Sequence, residues 1–257
     1  MPPGSHRADG GIRFIYDEPA MLLDYGDDVY LVVGDLHIGI ESEMRRRGVN
    51  IYDNAERMAG KILDLYDTFS ANALVILGDI KNSVLRPDRA ERDSIVRFFY
   101  MLRGLKIIAI RGNHDSYMNE IAGIEMHDEL IVGSVAMLHG NGWPSPEAAK
   151  CKTLITGHNH IAVEILDRNG ARYVDKAWMF SKPDLRIAKL RYKSFNLRRM
   201  VIMPAFNELI TGTPIGSRNR KDREINPMLR NGLFRYKSAE LYSLEGDILG
   251  TVGSLES

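Results

Sequence analysis

Apolar residues recur along this chain at two spacings. Unbroken runs such as Val29-Tyr30-Leu31-Val32-Val33 and Ala73-Leu74-Val75-Ile76-Leu77 are too short for helices and read as buried strands. Residues 21–23 and 29–33, separated by Asp24-Tyr25-Gly26-Asp27-Asp28, predict a hairpin. Residues 54–67 place Ala55, Met58, Ala59, Ile62, Leu63, Leu65 and Tyr66 mostly at helical spacing, with Asn54 as the expected cap. Residues 89–102 repeat the pattern with Ile95, Val96, Phe98, Phe99, Met101 and Leu102, and Gly104 is the expected C-cap. A strand over 105–110 follows.

This strand–helix–strand rhythm predicts crossovers and a largely parallel first sheet. Beyond Ser116 the strand-like runs come closer together, at 130–138, 153–156 and 162–166, with a turn at Asp167-Arg168-Asn169-Gly170 before 172–174. Shorter connections imply more antiparallel pairing, and two packed sheets with helices outside would fit both halves. Residues 212–231 read as a long loop and 240–252 as a final hairpin turning at Glu245-Gly246-Asp247.

Composition narrows the class. With 257 residues, 44% hydrophobic and 26% charged, the chain is expected to be one soluble globular unit. No apolar run reaches the ~18 residues of a membrane span, and the first residues lack a signal-peptide apolar region, so a cytoplasmic protein with no membrane partner is expected. The single Cys151 excludes an internal disulfide and a thiolate metal site. Net charge is zero, yet residues 182–237 hold 14 Lys and Arg against 4 Asp and Glu. That basic segment reads first as a solvated face and second as a surface for nucleic acid.

The candidate chemistry lies at the strand ends. Gly34-Asp35-Leu36-His37, Gly78-Asp79, Gly112-Asn113-His114-Asp115, His139-Gly140 and Gly157-His158-Asn159-His160 each follow an apolar run and hold five of the seven histidines. Ligands in open α/β sheets bind outside the carboxyl ends of strands, so these residues should converge. Carboxylates, one amide oxygen and neutral imidazoles are the donor set of a two-metal hydrolase. Asp35 and His37, one residue apart on an extended strand end, would point to one side and share an ion. Asp79 is the natural bridging carboxylate, Asn113 offers a weak amide oxygen, and His139, His158 and His160 complete the shells. Arg111 and Arg45-Arg46-Arg47 read as ion-paired or solvated rather than as phosphate clamps, and Phe98 and Phe99 as core.

In order and content these motifs resemble the calcineurin-like metallophosphoesterase superfamily, over about half of the chain. Gly34-Asp35-Leu36-His37-Ile38-Gly39 and Met203-Pro204-Ala205-Phe206 look like the small prokaryotic phosphoesterases related to the Mre11/SbcD nucleases and those associated with DNA ligase. The resemblance implies the metallo-dependent phosphatase fold, a four-layer α/β/β/α sandwich of two mixed sheets flanked by helices. It implies one metal on Asp35, His37, Asp79 and His160 and another on Asp79, Asn113, His139 and His158. Manganese is the first expectation, with Fe, Zn, Co or Ni suited to the same ligands. His114 would be catalytic, assisting the leaving group while a metal-bridging hydroxide attacks, and Asp115 would orient it. One domain over 1–257 is expected, with a core about 12–206 and a basic, loop-rich extension 207–257. Many relatives carry an acid three residues after the bridging aspartate; here Asn82, preceded by Lys81, stands there. The leading function is a phosphodiesterase acting on a phosphate ester. The alternatives are an Mre11/SbcD-like nuclease on DNA or RNA and a non-catalytic interaction scaffold.

Overall fold

The structure is a computed structural model that describes residues 5–7, 11–49, 51–166, 169–212, 214–215 and 225–256. Strands β1 (Ser5–Arg7), β2 (Ile12–Ile15), β3 (Met21–Tyr25) and β4 (Asp28–Val33) pair antiparallel in succession. Helices α1 (Ile40–Arg46) and α2 (Ala55–Thr68) then carry the chain to β5 (Ala73–Leu77), and α3 (Arg89–Met101) leads to β6 (Ile107–Ile110). After α4 (Met118–Ala122) comes β7 (Met126–His127). From β4 to β7 the neighbours are parallel, so the first sheet runs β1-β2-β3-β4-β5-β6-β7 and is mixed: the largely parallel sheet expected from the strand–helix rhythm holds only from β4 onward, because β1 to β4 follow one another without a crossover helix.

The second sheet begins with β8 (Leu130–Val132) and β9 (Val135–Met137) and continues through β10 (Thr153–Thr156). The next hairpin, β11 (Ala162–Leu166) and β12 (Arg172–Lys176), leaves this sheet and forms a small one with β15 (Pro214–Ile215). Strand β13 (Trp178–Ser181) returns, α5 (Leu185–Arg191) packs outside, and β14 (Arg199–Ile202) inserts beside β10. The short α6 (Pro227–Arg230), β16 (Glu240–Tyr242), β17 (Ile248–Thr251) and α7 (Val252–Leu255) complete the chain. The order β17-β16-β13-β14-β10-β9-β8 makes the second sheet mixed as well.

Side-chain alternation explains the stacking. Val32, Val75, Leu77, Ile110, Met137, Ile155 and Val201 face one another in a core between the sheets. Their chain neighbours Leu31, Val33, Leu74 and Ile76 turn outward against Met58 and Ile62 of α2 and Ile95 and Phe98 of α3. Leu154, Met200 and Ile202 do the same on the other side, against Ala188 of α5 and Met228 of α6. Strands buried on both faces carry unbroken apolar runs, and the outcome is the expected α/β/β/α sandwich. Among the described residues no helix is long and apolar enough to cross a membrane.

Several local expectations are corrected. Asn54 stands at the N-cap position of α2 as expected, but its side chain makes no capping bond: Asp53 accepts the Ala55 N–H at 2.9 Å, and the Asn54 side chain bonds instead to Arg57 and Asn207. Gly104 does not end α3, whose C-cap is Leu102, while Asp88 caps its start by accepting the Glu91 N–H at 2.9 Å. The run 130–138 is not one strand, because Gly133, with φ 58°, turns it into the β8–β9 hairpin. Between His37 and α2, where the apolar spacing sets no element, the chain forms α1. Asp167 and Arg168 of the expected turn, and residues 213 and 216–224 of the expected long loop, lie outside the described residues.

Candidate metal centre

Two sets of parallel strands deliver their carboxyl ends to one edge of the sandwich. Strands β4, β5 and β6 lead into the Asp35, Asp79 and Asn113 motifs, and β9 and β10 into those of His139 and His158. Pairing between the first two motifs outlasts the strands: Asp35 N–H donates to the Gly78 carbonyl at 3.1 Å, His37 N–H to Asp79 at 2.8 Å and Ile38 N–H to Ile80 at 2.8 Å.

Five of the expected ligands occupy the left-handed backbone region: Asp35 (φ 54°), His37 (40°), Asp79 (49°), His158 (71°) and His160 (43°). This corrects the expectation of an extended strand end for the Asp35/His37 pair, and His158 and His160 share the same backbone region. Such residues cost on the order of 1–3 kcal/mol each and persist where surrounding structure over-determines them. Here the turns aim both residues of each pair into one cluster while Leu36 between them stays in the core.

The side chains form two groups that share Asp79. Asp35, His37, Asp79 and His160 each offer one ligand atom, all within 4.8 Å of one another, and so do Asp79, His139 and His158. His160 Nε2 lies 3.3 Å from Asp35 Oδ1 and 3.1 Å from His37 Nε2. Asp79 Oδ2 lies 3.6 Å from His37 Nε2 and 3.2 Å from His139 Nε2. Asn113 is exposed, with its amide oxygen 3.2 Å from His139 Nε2 on the second group. His139 Nδ1–H donates to the Leu77 carbonyl at 3.0 Å, which leaves Nε2 to face Asp79. The backbone N–H of His158 holds Asp35, and that of His114 holds Asp79 at 3.0 Å.

Burial alone would raise both carboxyl groups, but the imidazoles of His160 and His139 hold Asp35 below its ordinary value, and those of His139 and His37 hold Asp79 well below the usual carboxylate range. His139 is opposed by burial yet pushed up to about 9 by Asp79, and His160 is raised by Asp35. His37, buried and beside His160, falls to about 4. Two buried carboxylates ringed by imidazoles thus demand positive charge. Divalent cations would supply it, and the nitrogen and oxygen donors fit two of them through the shared Asp79.

His114 stands at the edge of this cluster, with Nε2 4.0 Å from Asp79 Oδ2 and its ring centroid 4.9 Å from that of His37. Its Nδ1 bonds to the Asn82 backbone carbonyl. The expectation that Asp115 orients His114 is therefore corrected. The Asp115 carboxylate is buried and accepts N–H groups of Ile80 (2.7 Å), Lys81 (3.4 Å) and Gly112 (2.8 Å), tying the second and third motifs together. Lys81 is buried too, its ammonium donating to the Ser83 and Leu85 carbonyls. Arg111 pairs with Asp128 at 3.4 Å, and Arg47 pairs with Glu43 on the surface.

Asn207 supports the site although it lies outside every motif. Fully buried, it donates to the Leu36 carbonyl at 2.7 Å and accepts from the Asn54 amide and the Leu209 N–H. Lys176, lowered by burial to about 8, donates to the carbonyls of Ala205 and Asn207 and fastens the same loop. Phe206 N–H bonds to the Gly34 carbonyl at 2.9 Å, so Met203-Pro204-Ala205-Phe206 serves as the strap that places Asn207. Its only sequence signal is adjacency to that motif. Asn207→Ala is expected to leave the Leu36 carbonyl unpaired between Asp35 and His37 and to cost about 1–3 kcal/mol in urea unfolding. Metal affinity, followed by titration, is expected to fall with it; a variant of undiminished stability and affinity would remove Asn207 from the support of the site.

Among curated proteins none matches the chain. Among solved structures, the nuclease MPE of Pseudomonas putida is 18% identical over 92% of this chain and 90% of that one, with a TM-score of 0.53, a likeness of fold alone. Yfce, a phosphoesterase from E. coli, is 15% identical over 86% of this chain and 96% of that one, with a TM-score of 0.40. The family model for calcineurin-like phosphoesterases matches residues 29–193, more than half of the chain, and encloses every motif from Asp35 to His160. With that match on a site of this composition, the chain belongs to the calcineurin-like phosphoesterase family and is a metal-dependent hydrolase of phosphate esters.

Proposed function

We propose that the chain is a binuclear phosphodiesterase. The observation that carries this reading is the sharing of Asp79 by two ligand groups, Asp35, His37 and His160 on one side and Asn113, His139 and His158 on the other. Bound there, two divalent ions, manganese first, supply an activated water at neutral pH and positive charge against the phosphate oxygens. His114 donates a proton from Nε2 to the departing oxygen while Nδ1–H stays on the Asn82 carbonyl, which fixes the ring. Asp115 holds Gly112 and Ile80, and so the spacing of Asn113 from Asp79. A diester is favoured over a monoester because a cavity of about 460 Å³ adjoins His139 and leaves room for a second organic substituent.

The reading treats the chain as one catalytic unit, since residues after 207 complete the second sheet and Asn207 supports Leu36. His114→Ala is expected to keep two metals per chain and lose ~10²–10⁴ in turnover of bis(4-nitrophenyl) phosphate. An unchanged rate would remove its proton-transfer role, and a wild-type content below two metals would remove the binuclear reading.

A nuclease is the second reading, favoured by one contact: Arg191 of the basic segment lies 3.9 Å from the centroid of Trp143, which lines that same cavity. Digestion of labelled single-stranded DNA with manganese separates the two.

A further inference from the structure

The cavity beside His139 is bounded by Arg111, Asp128, Glu129, Asn141 and Trp143 and holds about 460 Å³, enough for a mononucleotide-sized ligand. Its charged walls are already engaged. Arg111 pairs with Asp128 at 3.4 Å, and the Glu129 carboxylate accepts both the hydroxyl and the N–H of Ser145. A second phosphate would meet two carboxylates there and a guanidinium that is already paired. An uncharged group meets no such penalty.

Trp143 is the one large aromatic of this wall, and it is held in place. The Arg191 guanidinium packs on its indole. Pro144 next to it is pinned through its carbonyl by the Tyr192 hydroxyl at 2.8 Å, and Ser145 is pinned by Glu129. An indole fixed in this way loses little freedom on stacking, and an aromatic side chain accepts any planar base. The cavity borders the metal centre: it is lined by His139, a member of the second ligand group, and by Gly112, next to Asn113.

We infer that this cavity is a nucleobase subsite in which Trp143 stacks the base of a nucleotide whose phosphate lies at the Asp79/His139 group. The inference rests on the phosphodiesterase reading and deepens it by naming the class of the ester's organic group.

The test is calorimetric titration of the manganese-loaded full chain with adenosine 5′-monophosphate, ribose 5-phosphate and adenosine 5′-diphosphate. Adenosine 5′-monophosphate is expected to bind about tenfold tighter than ribose 5-phosphate, and the second phosphate of the diphosphate to add nothing. Trp143→Ala should abolish the preference, and Trp143→Phe should retain most of it. A pentadeoxyadenylate binding tighter than the mononucleotide assigns the base to a strand; equal binding assigns it to a free nucleotide. Equal binding of adenosine 5′-monophosphate and ribose 5-phosphate by the wild-type chain, or a preference that survives Trp143→Ala, overturns the subsite. If that happens while bis(4-nitrophenyl) phosphate is still hydrolysed, the phosphodiesterase reading stands alone. A chain that takes up no metal and hydrolyses nothing removes both.

Discussion

Asp79→Ala is expected to abolish metal binding at both groups at once and to lower phosphodiester hydrolysis by about 10³-fold or more, the scale on which loss of preorganised charge stabilisation is felt. No other side chain of the centre is shared between the groups. The Asp79 carboxylate is 2% exposed, lies 3.6 Å from His37 and 3.2 Å from His139, and is itself held by the His114 N–H. Without it, His139 loses the partner that raises its pKa, and each group loses the carboxylate that it shares with the other and that would help to hold an ion there. Two measurements separate this from general damage. Elemental analysis should give two metals per wild-type chain and essentially none in the variant, whereas Asp128→Ala, which breaks only a surface pair with Arg111, should keep both. Thermal unfolding of the wild-type chain should shift down on chelation, because an ion that binds only the folded state stabilises it by mass action. Asp79→Ala should be indifferent to chelator. A variant retaining two metals would sink the bridging role.

The sandwich and the membership of this cluster are legible in sequence for a common physical reason. Strands such as β5 and β10 are buried on both faces, so their apolar runs are unbroken, and a polar residue at their ends is conspicuous. What is not legible is the backbone and the support. Nothing in Asp35-Leu36-His37 announces two left-handed residues around a buried leucine; aspartate and histidine merely tolerate that region better than most. Asp115 is legible as part of a motif, but its choice of backbone N–H groups over the neighbouring imidazole depends on where Ile80 comes to lie, 35 residues earlier. Asn207 reaches Leu36 across 171 residues, and Trp143 meets Arg191 through packing of the second sheet's outer layer. Local spacing carries no trace of such contacts. The Gly133 turn within 130–138 was readable from its glycine, and the apolar residues on either side of it masked the break.

Gly112→Ala is expected to have the second largest effect, through space rather than conformation. A Cβ at this position would stand 2.1 Å from Asp79 Oδ1 and 2.3 Å from the Asp79 backbone nitrogen, far inside contact distance. The carboxylate cannot swing away without leaving the His114 N–H and the imidazoles of His37 and His139. The nitrogen cannot recede either, because Asp79 follows β5, whose residues pair with both β4 and β6. The remaining route is to push Gly112 outward, which breaks its N–H bond to Asp115 at 2.8 Å and carries Asn113 and His114 with it. Each route disperses the centre, so the alanine variant is expected to lose both metals and to be destabilised by about 3 kcal/mol or more, the range for overpacking combined with a broken buried network. Unfolding in urea with chelator present isolates the steric share, because the metal contribution is then absent from both proteins. Gly60→Ala serves as the control: nothing lies within 4 Å of its added Cβ, and within α2 it should stabilise by about 0.5–1 kcal/mol. A Gly112→Ala chain with wild-type urea midpoint and two bound metals would mean that the third motif can move as a body, and the close approach of Gly112 to Asp79 would then not be what holds the two groups together.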